Sequence, residues 1–332
     1  MKATLFTTMA TVLVILAGCS NNENEAIDNW SGEIRLASGV AMQTRANTQA
    51  TQIAENEIVY AWADKVETSE TPGTSATEYI KAWKLTATNN NGFTNNPEYY
   101  PTDGSKLNIY ALHGNFTATT FEEGTTGFPG STIVHTVAND QSNNDMKNYL
   151  KSDLLYAIQT DVERSSSAVN LTFYHLLSKV EVALKVGKGD PDLANATITI
   201  EGTKLQANFT PSKSATMSSS EDRSNMVSAV SNAQATPVTI GNAASSDFNN
   251  NPTYNEAVIV PQTLSESTSF IKVALSDGSS PFIYNLKNET KFESGKKYIY
   301  HITVNKTGLE VTSSIEGWQS AGDTLIEGSA EL

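Results

Sequence analysis

Hydrophobic and polar positions alternate along much of this chain with a period of two. The clearest case is residues 296–305, where Tyr298, Tyr300, Ile302 and Val304 fall on one face and Ile299, His301 and Thr303 on the other, so one face can meet a core while the other meets water or a loop. Short runs rich in Val, Ile, Thr, Tyr and Phe recur at KLNIYALHG, AVNLTFYHLL, KVEVALKVG, ATITIEG, EAVIVPQTL and SFIKVALSDG, each bounded by Gly, Pro, Asn, Asp or Ser. No segment of a dozen residues sustains a 3.6-residue period, and one helical turn is expected around Met146 to Leu150. This spacing predicts an all-β chain of sandwiches or Greek-key barrels rather than a parallel sheet with crossover helices.

Polar stretches separate the strands at residues 86–106, 119–132, 186–196 and 217–252. They read as surface loops, because Asn, Gly, Ser and Pro form turns readily and lack apolar area for a core. The last is long enough to hold a short hairpin at 237–242. The Gly-Pro turn after the continuous strand run ending at Gly187 marks a domain boundary. The expected division is therefore 46–187 and 188–332, since a chain of this length exceeds what one core usually serves.

The N-terminus has a different logic. Residues 1–18 carry Lys2, an apolar segment centred on Val12 to Leu16, and the small pair Ala17 and Gly18, which is the layout of a secretory signal peptide. The string Leu16-Ala17-Gly18-Cys19 resembles the bacterial lipobox. Cys19 is the only cysteine, so it is the expected lipidation site, through which acyl chains such as palmitate would hold residues 19–45 to a membrane. The alternative is an ordinary secreted protein with an incidental cysteine; in either case no intrachain disulfide can form. Within residues 19–45, Ile34, Leu36, Val40 and Met42 point one way, interrupted by Ser38, while Glu33 and Arg35 point the other. That pattern reads as a sheet strand, or else as a flexible tether that happens to alternate. The far end of the chain alternates too. Thr324, Ile326, Gly328, Ala330 and Leu332 share a face, with Glu327, Ser329 and Glu331 opposite, although Leu325 breaks the polar side.

Candidate chemistry is sparse. With 22 basic and 36 acidic side chains the formal charge is -14, so a nucleic-acid groove would work against the field of the whole molecule. His113, His135, His175 and His301 are scattered, three of them in or beside strand runs, where a hydrogen-bonded structural role is expected. No HExxH, G-x-S-x-G or paired-cysteine pattern is present. Asp190 and Asp192 lack the surrounding ligand loop of a calcium site. No catalytic residue, metal site or cofactor is expected. Tyr99, Tyr100 and Phe128 lie in loop stretches where an aromatic ring can stack on a sugar.

SDLLYA, then LTFYHLLSKVEVAL, VIVPQTL, FESGKKYIYHITVNKTGLEV and IEGW, in this order from about residue 150 to Trp318, together with the lipobox, resemble the fimbrillin proteins of the Bacteroidetes. The resemblance implies two transthyretin-like Greek-key β-sandwich domains, export as a lipoprotein, and assembly into type V pili at the cell outer membrane. It also implies an arginine-specific protease that removes the N-terminal leader at the cell surface; by position, Arg45 and Ala46 flank the processed bond. Donor-strand exchange would then join subunits, with 324–332 as candidate donor. The partners implied are other fimbrial subunits, the lipoprotein export machinery, that protease, outer-membrane lipid through Cys19, and a host protein or glycan ligand. The competing expectation is a permanently lipidated surface module that binds glycans or host proteins through its Asn-rich and aromatic loops.

Overall fold

A computed structural model of the chain describes residues 30–41, 52–66, 76–116, 119–142, 147–249 and 252–318. By its contacts the chain divides into Met1–Ser31 and Gly32–Leu332, and the fold described below is that of the second unit. Its elements, in order, are β1 (Leu36–Val40), β2 (Ile58–Val66), β3 (Thr77–Ala87), β4 (Phe93–Asn95), β5 (Lys106–His113), β6 (Ile133–Thr136), α1 (Lys147–Ser152), β7 (Leu155–Val162), β8 (Val169–His175), β9 (Ser178–Val186), β10 (Thr197–Ile200) and β11 (Gln206–Phe209). There follow α2 (Ser220–Met226), β12 (Val227–Ala229), β13 (Val238–Ile240), β14 (Asn255–Ile259), β15 (Gln262–Leu264), β16 (Ser269–Ala274), β17 (Phe282–Asn285), β18 (Thr290–Phe292), β19 (Lys296–Asn305) and β20 (Gly308–Gly317).

The chain is thus almost all β. A seven-stranded sheet runs β1-β8-β7-β5-β2-β3-β4; two four-stranded sheets run β13-β10-β16-β17 and β14-β9-β19-β20; β12-β11-β6 and the ribbon β15-β18 complete the set. The long β19 is central to its sheet, parallel to β9 and antiparallel to β20. Tyr298, Tyr300, Ile302 and Val304 enter the core as their alternation predicts, His301 and Thr303 are half-buried on the other face, and Ile299 is buried there as well.

Two of the hydrophobic clusters among the described residues fix the rest of the body. One gathers β9, β10, β16 and β19 side chains such as Val182, Ile198, Phe270 and Tyr300. The other gathers Trp62, Tyr110, Tyr156, Phe209, Met226 and Trp318. β14 serves both, because successive side chains of a strand face opposite ways: Ala257 and Ile259 enter the first cluster, Val258 and Val260 the second. β11 reaches back to pair with β6, Phe209 opposite Ile133, and so carries Ala207 and Phe209 into the second cluster.

Two polar stretches hold more order than their composition predicts. Residues 217–252 contain α2, whose N-cap Ser219 accepts a hydrogen bond from the Asp222 N–H at 3.3 Å, with Glu221 and Asp222 in the first turn. The stretch 119–132 folds over the second cluster, with Phe121 buried and Phe128 packed edge-on to Trp62 at 5.8 Å. Phe128 is therefore engaged in packing, and Tyr100 is 2% exposed, so neither offers a free ring to a sugar; Tyr99 does, at 45% exposed.

Candidate functional site

The alternating segment ahead of the main body folds as β1, with Ile34 just before it. Ile34, Leu36, Ser38 and Val40 are 1%, 5%, 3% and 4% exposed, while Arg35 is exposed and Ala37 and Gly39 half-buried. Ser38 keeps the inward phase that its polarity would argue against. Its hydroxyl lies 3.4 Å from the Asn91 carbonyl, to which it donates, and this gives the buried polar atom a partner.

β1 is fastened on both flanks. On one side it runs parallel to β8, in register from Leu36 opposite Val169 to Val40 opposite Phe173, and the ladder is continued by Val169 N–H to Arg35 O at 2.8 Å and Ala41 N–H to Phe173 O at 2.9 Å. On the other side Ser38 N–H donates to Asn91 O at 2.7 Å, Ile34 N–H to Glu98 O at 2.7 Å, and Tyr100 N–H to Gly32 O at 2.9 Å, with antiparallel bridges Ala37 to Gly92 and Glu33 to Tyr99. Asn91 and Gly92 belong to the turn between β3 and β4, so this one strand links the two ends of the seven-stranded sheet and nearly closes it into a barrel.

The dependence is mutual. β8 pairs with β7 at Leu155–His175 and Tyr156–Tyr174; beyond those positions β7 continues its ladder with β5, and β8 continues with β1. Leu171 and Phe173, fully buried on β8, thus lie in a stretch whose main-chain ladder is completed by β1.

At the other end, β20 terminates on Trp318, which is 1% exposed. Its ring stacks on His175 at 3.9 Å and 12°, the Lys179 ammonium lies 5.9 Å from the ring centroid, and the Trp318 backbone N–H donates to Gly295 O at 2.8 Å. His175 pairs with Asp153 at 2.9 Å, and Lys179 with Glu181 and Glu256 at 2.9 and 3.0 Å. Burial works against the charge on Lys179, and Glu256 and Glu181 outweigh it, so its pKa is raised. Trp318 is therefore held firmly in the fold.

Of the residues singled out in the sequence, Ile34, Leu36 and Val40 come together on the inner face of β1. Cys19, Met42, Arg45, Ala46 and the 324–332 segment lie outside the described residues.

The histidines occupy structural places. Both ring nitrogens of His113 face carbonyls, Ile58 O at 3.0 Å and Leu150 O at 3.1 Å. His135 accepts from the Asn115 N–H at Nδ1 and donates from Nε2 to Ser152 O at 2.9 Å, and burial pushes its pKa down to about 4. His301 stacks on Phe248 at 4.8 Å. Among the described residues no cluster of three His, Cys, Asp or Glu side chains is arranged to hold a metal ion.

A family model described as fimbrillin-like matches residues 44–318. A Bacteroides uniformis protein described as fimbrium subunit Fim1C is 24% identical over 341 aligned residues, covering 99% of each chain. Among solved structures, a protein described as a cell adhesion protein from Bacteroides ovatus superposes with a TM-score of 0.58 at 17% identity, over 87% of this chain and 98% of its own. A second, so described, from Bacteroides uniformis gives a TM-score of 0.54 at 17% identity with the same coverage. These two likenesses are of fold.

Proposed function

The chain belongs to the fimbrillin-like family, and from that premise we propose that it is a lipoprotein precursor of a fimbrial subunit, activated by loss of its leader and assembled by strand exchange. It is a structural, non-catalytic protein of surface fimbriae and adhesion, whose partners are other fimbrial subunits. Residues 1–18 direct export, Cys19 carries the lipid that holds the precursor at the outer membrane, and an arginine-specific protease cuts between Arg45 and Ala46. The main body, 46–332, forms two transthyretin-like Greek-key sandwiches divided near residue 187. Residues 324–332 enter the place that Ile34, Leu36, Val40 and Met42 leave in a neighbouring subunit.

The observation that supports this reading is the double fastening of β1. A strand that lies outside the family-matched range yet is bonded to both ends of a sheet leaves, on removal, a one-strand gap with main-chain partners on either side. Such a gap is a template for β-augmentation, in which backbone hydrogen bonds give strength and alternate side chains give register. The test is digestion of the purified precursor with an arginine-specific protease. Mature chains beginning at Ala46, accompanied by polymers that a chain truncated after Asp323 fails to extend, are expected. Mature subunits beginning at Leu36 or at acylated Cys19 would overturn the assignment.

One observation favours the second reading, a permanently lipidated module for glycans or host proteins. Tyr79 and Tyr99, 41% and 45% exposed, adjoin each other through the Tyr79 hydroxyl, which donates to Tyr99 O at 3.0 Å, and an exposed aromatic pair can stack on sugar rings. Under that reading the precursor binds its ligand with the leader intact and the protease yields no polymers.

A further inference from the structure

We propose that the place of Ser38 is a size filter, and that the strand of a second copy of this chain that replaces β1 meets it with Gly328. The inference rests on the reading that the leader is exchanged for a strand, and adds which side chains and which direction that strand must have.

Of the four inward positions along β1, three hold large apolar side chains and the Ser38 position a small one, all of them 5% exposed or less. A main-chain carbonyl stands beside Ser38. Asn91 O lies 3.4 Å from the Ser38 hydroxyl and receives the Ser38 N–H at 2.7 Å, and Asn91 is held at a φ of 65° in a turn closed by Thr88 N–H to Gly92 O at 3.0 Å. On the other flank stands Leu171, directly opposite in register and fully buried. A branched side chain at this position runs into a carbonyl fixed by its own turn, which yields far less than the end of a flexible side chain, so overpacking is penalised.

Direction is constrained by the same bonds. The N–H groups of Ile34 and Ser38 serve the Glu98 and Asn91 flank, while Arg35 O and Ala41 N–H serve β8. A strand running parallel to β8 reproduces both sets with its inward face preserved.

In the tail, the phase containing Leu325, Glu327, Ser329 and Glu331 would drive carboxylates inward, which burial forbids. The other phase offers Thr324, Ile326, Gly328, Ala330 and Leu332. Setting Gly328 at Ser38 puts Ile326 in the place of Leu36, Thr324 in that of Ile34 and Ala330 in that of Val40. Sliding by two residues to bring Ala330 to the filter empties the Leu36 place, since Gly328 falls there, and a cavity of that size is costly.

The test uses the full chain cut after Arg45, with the leader held only by contacts, and fluorescent peptides of residues 324–332 followed by anisotropy. The wild-type peptide is expected to displace the leader. The Gly328→Leu peptide should bind at least about tenfold more weakly, and the Ala330→Leu peptide as well as wild type or better, because the Val40 place already holds a branched side chain. Equal binding of the Gly328→Leu peptide overturns the filter, and selective loss with Ala330→Leu overturns the assignment to Gly328. If no peptide enters and the leader stays, the exchange reading falls and takes this inference with it. A separate arm leaves exchange out: in the uncut chain, Ser38→Leu should lower the melting temperature while Ser38→Ala lowers it little. Wild-type melting of the Ser38→Leu chain condemns the filter without touching exchange.

Discussion

Replacing Leu36 by Ala should loosen the leader without disturbing the main body. Leu36 is 5% exposed, sits in the middle of the inward face between Ile34 and Ser38, and lies opposite Val169 on β8. Large-to-small changes at such sites cost about 2–5 kcal/mol, and a strand at a sheet seam, free to relax toward the gap, belongs near the lower end. A loss of roughly 2–3 kcal/mol raises the population in which β1 is detached by about 30- to 150-fold, at 1.4 kcal/mol per factor of ten. Arg35 supplies the reporter. Its side chain is exposed, but its carbonyl accepts from Val169 N–H at 2.8 Å and its guanidinium donates to Ser166 O at 3.2 Å. A protease must therefore wait for the strand to leave the sheet before it can take the Arg35–Leu36 bond, and cutting there tracks the open population when opening and closing are fast.

The assay is a time course with an arginine-specific protease, read by mass spectrometry, in an Arg45→Ala background so that the leader stays covalently attached. Leu36→Ala should speed the cut after Arg35 by the same 30- to 150-fold range, while cuts elsewhere keep their rates. Leu36→Ile, which conserves volume, should change it little. If the Arg35 bond is cut as quickly in the unaltered strand as in the Leu36→Ala strand, the strand is not what protects it, and the argument for a fastened leader fails.

Arg45→Ala should abolish maturation at its own bond, because a methyl group cannot enter the acidic pocket that an arginine-specific protease offers; the N-terminal sequence of the surface protein decides. Cys19→Ala should abolish lipid incorporation and membrane retention while leaving the melting temperature of the main body unchanged, and metabolic lipid labelling that persists in the variant would refute the anchor. His135 makes stability depend on pH. Its folded pKa, about 4, lies below the unfolded value near 6.5, so below pH 6.5 the unfolded chain takes up a proton that the folded chain refuses. Stability should fall from pH 6.5 toward pH 4 by roughly 2 kcal/mol at pH 5 and level off lower down, and urea titrations of the wild type and His135→Gln at pH 7 and pH 5 isolate that share.

The strands that alternate cleanly were legible in the sequence, and β19 shows why: one face meets a continuous core, so burial and period coincide. The stretch from 52 to 116 was harder. β2 is buried at four consecutive positions, Ala61 to Asp64, which erases the period of two, and β3 carries Ala82 at a φ of 37° beside a register shift against β2, which flips the phase in mid-strand. α2 spans seven residues, too few for a helical period, although Ser219 followed by Glu221 and Asp222 carried the N-terminal signal. At the candidate site the inward triad Ile34, Leu36 and Val40 was readable from alternation. The role of Ser38 was not, because its partner, Asn91, is 53 residues away in the sequence, and a polar residue in an apolar phase looks like a break until that partner is known.

If the leader is exchanged as proposed, the pairing of β8 gives a reason for it to remain until the chain reaches its neighbours. β8 shares a ladder with β7 at two positions and with β1 at five, so loss of β1 strips main-chain partners from a strand whose Leu171 and Phe173 are fully buried. The opposite flank loses its bonds at Asn91, Glu98 and Tyr100 at the same time. Unpaired edges on both sides of a gap are prone to capture by any extended chain, and inward apolar surface left without a cover adds roughly 25 cal/mol for each Å² to that tendency. Neither cost is felt while β1 is in place. Cleavage as proposed would break one peptide bond and remove none of these contacts, so the cut precursor would stay closed until a competing strand arrived, and the subunit would never be required to exist with the gap empty.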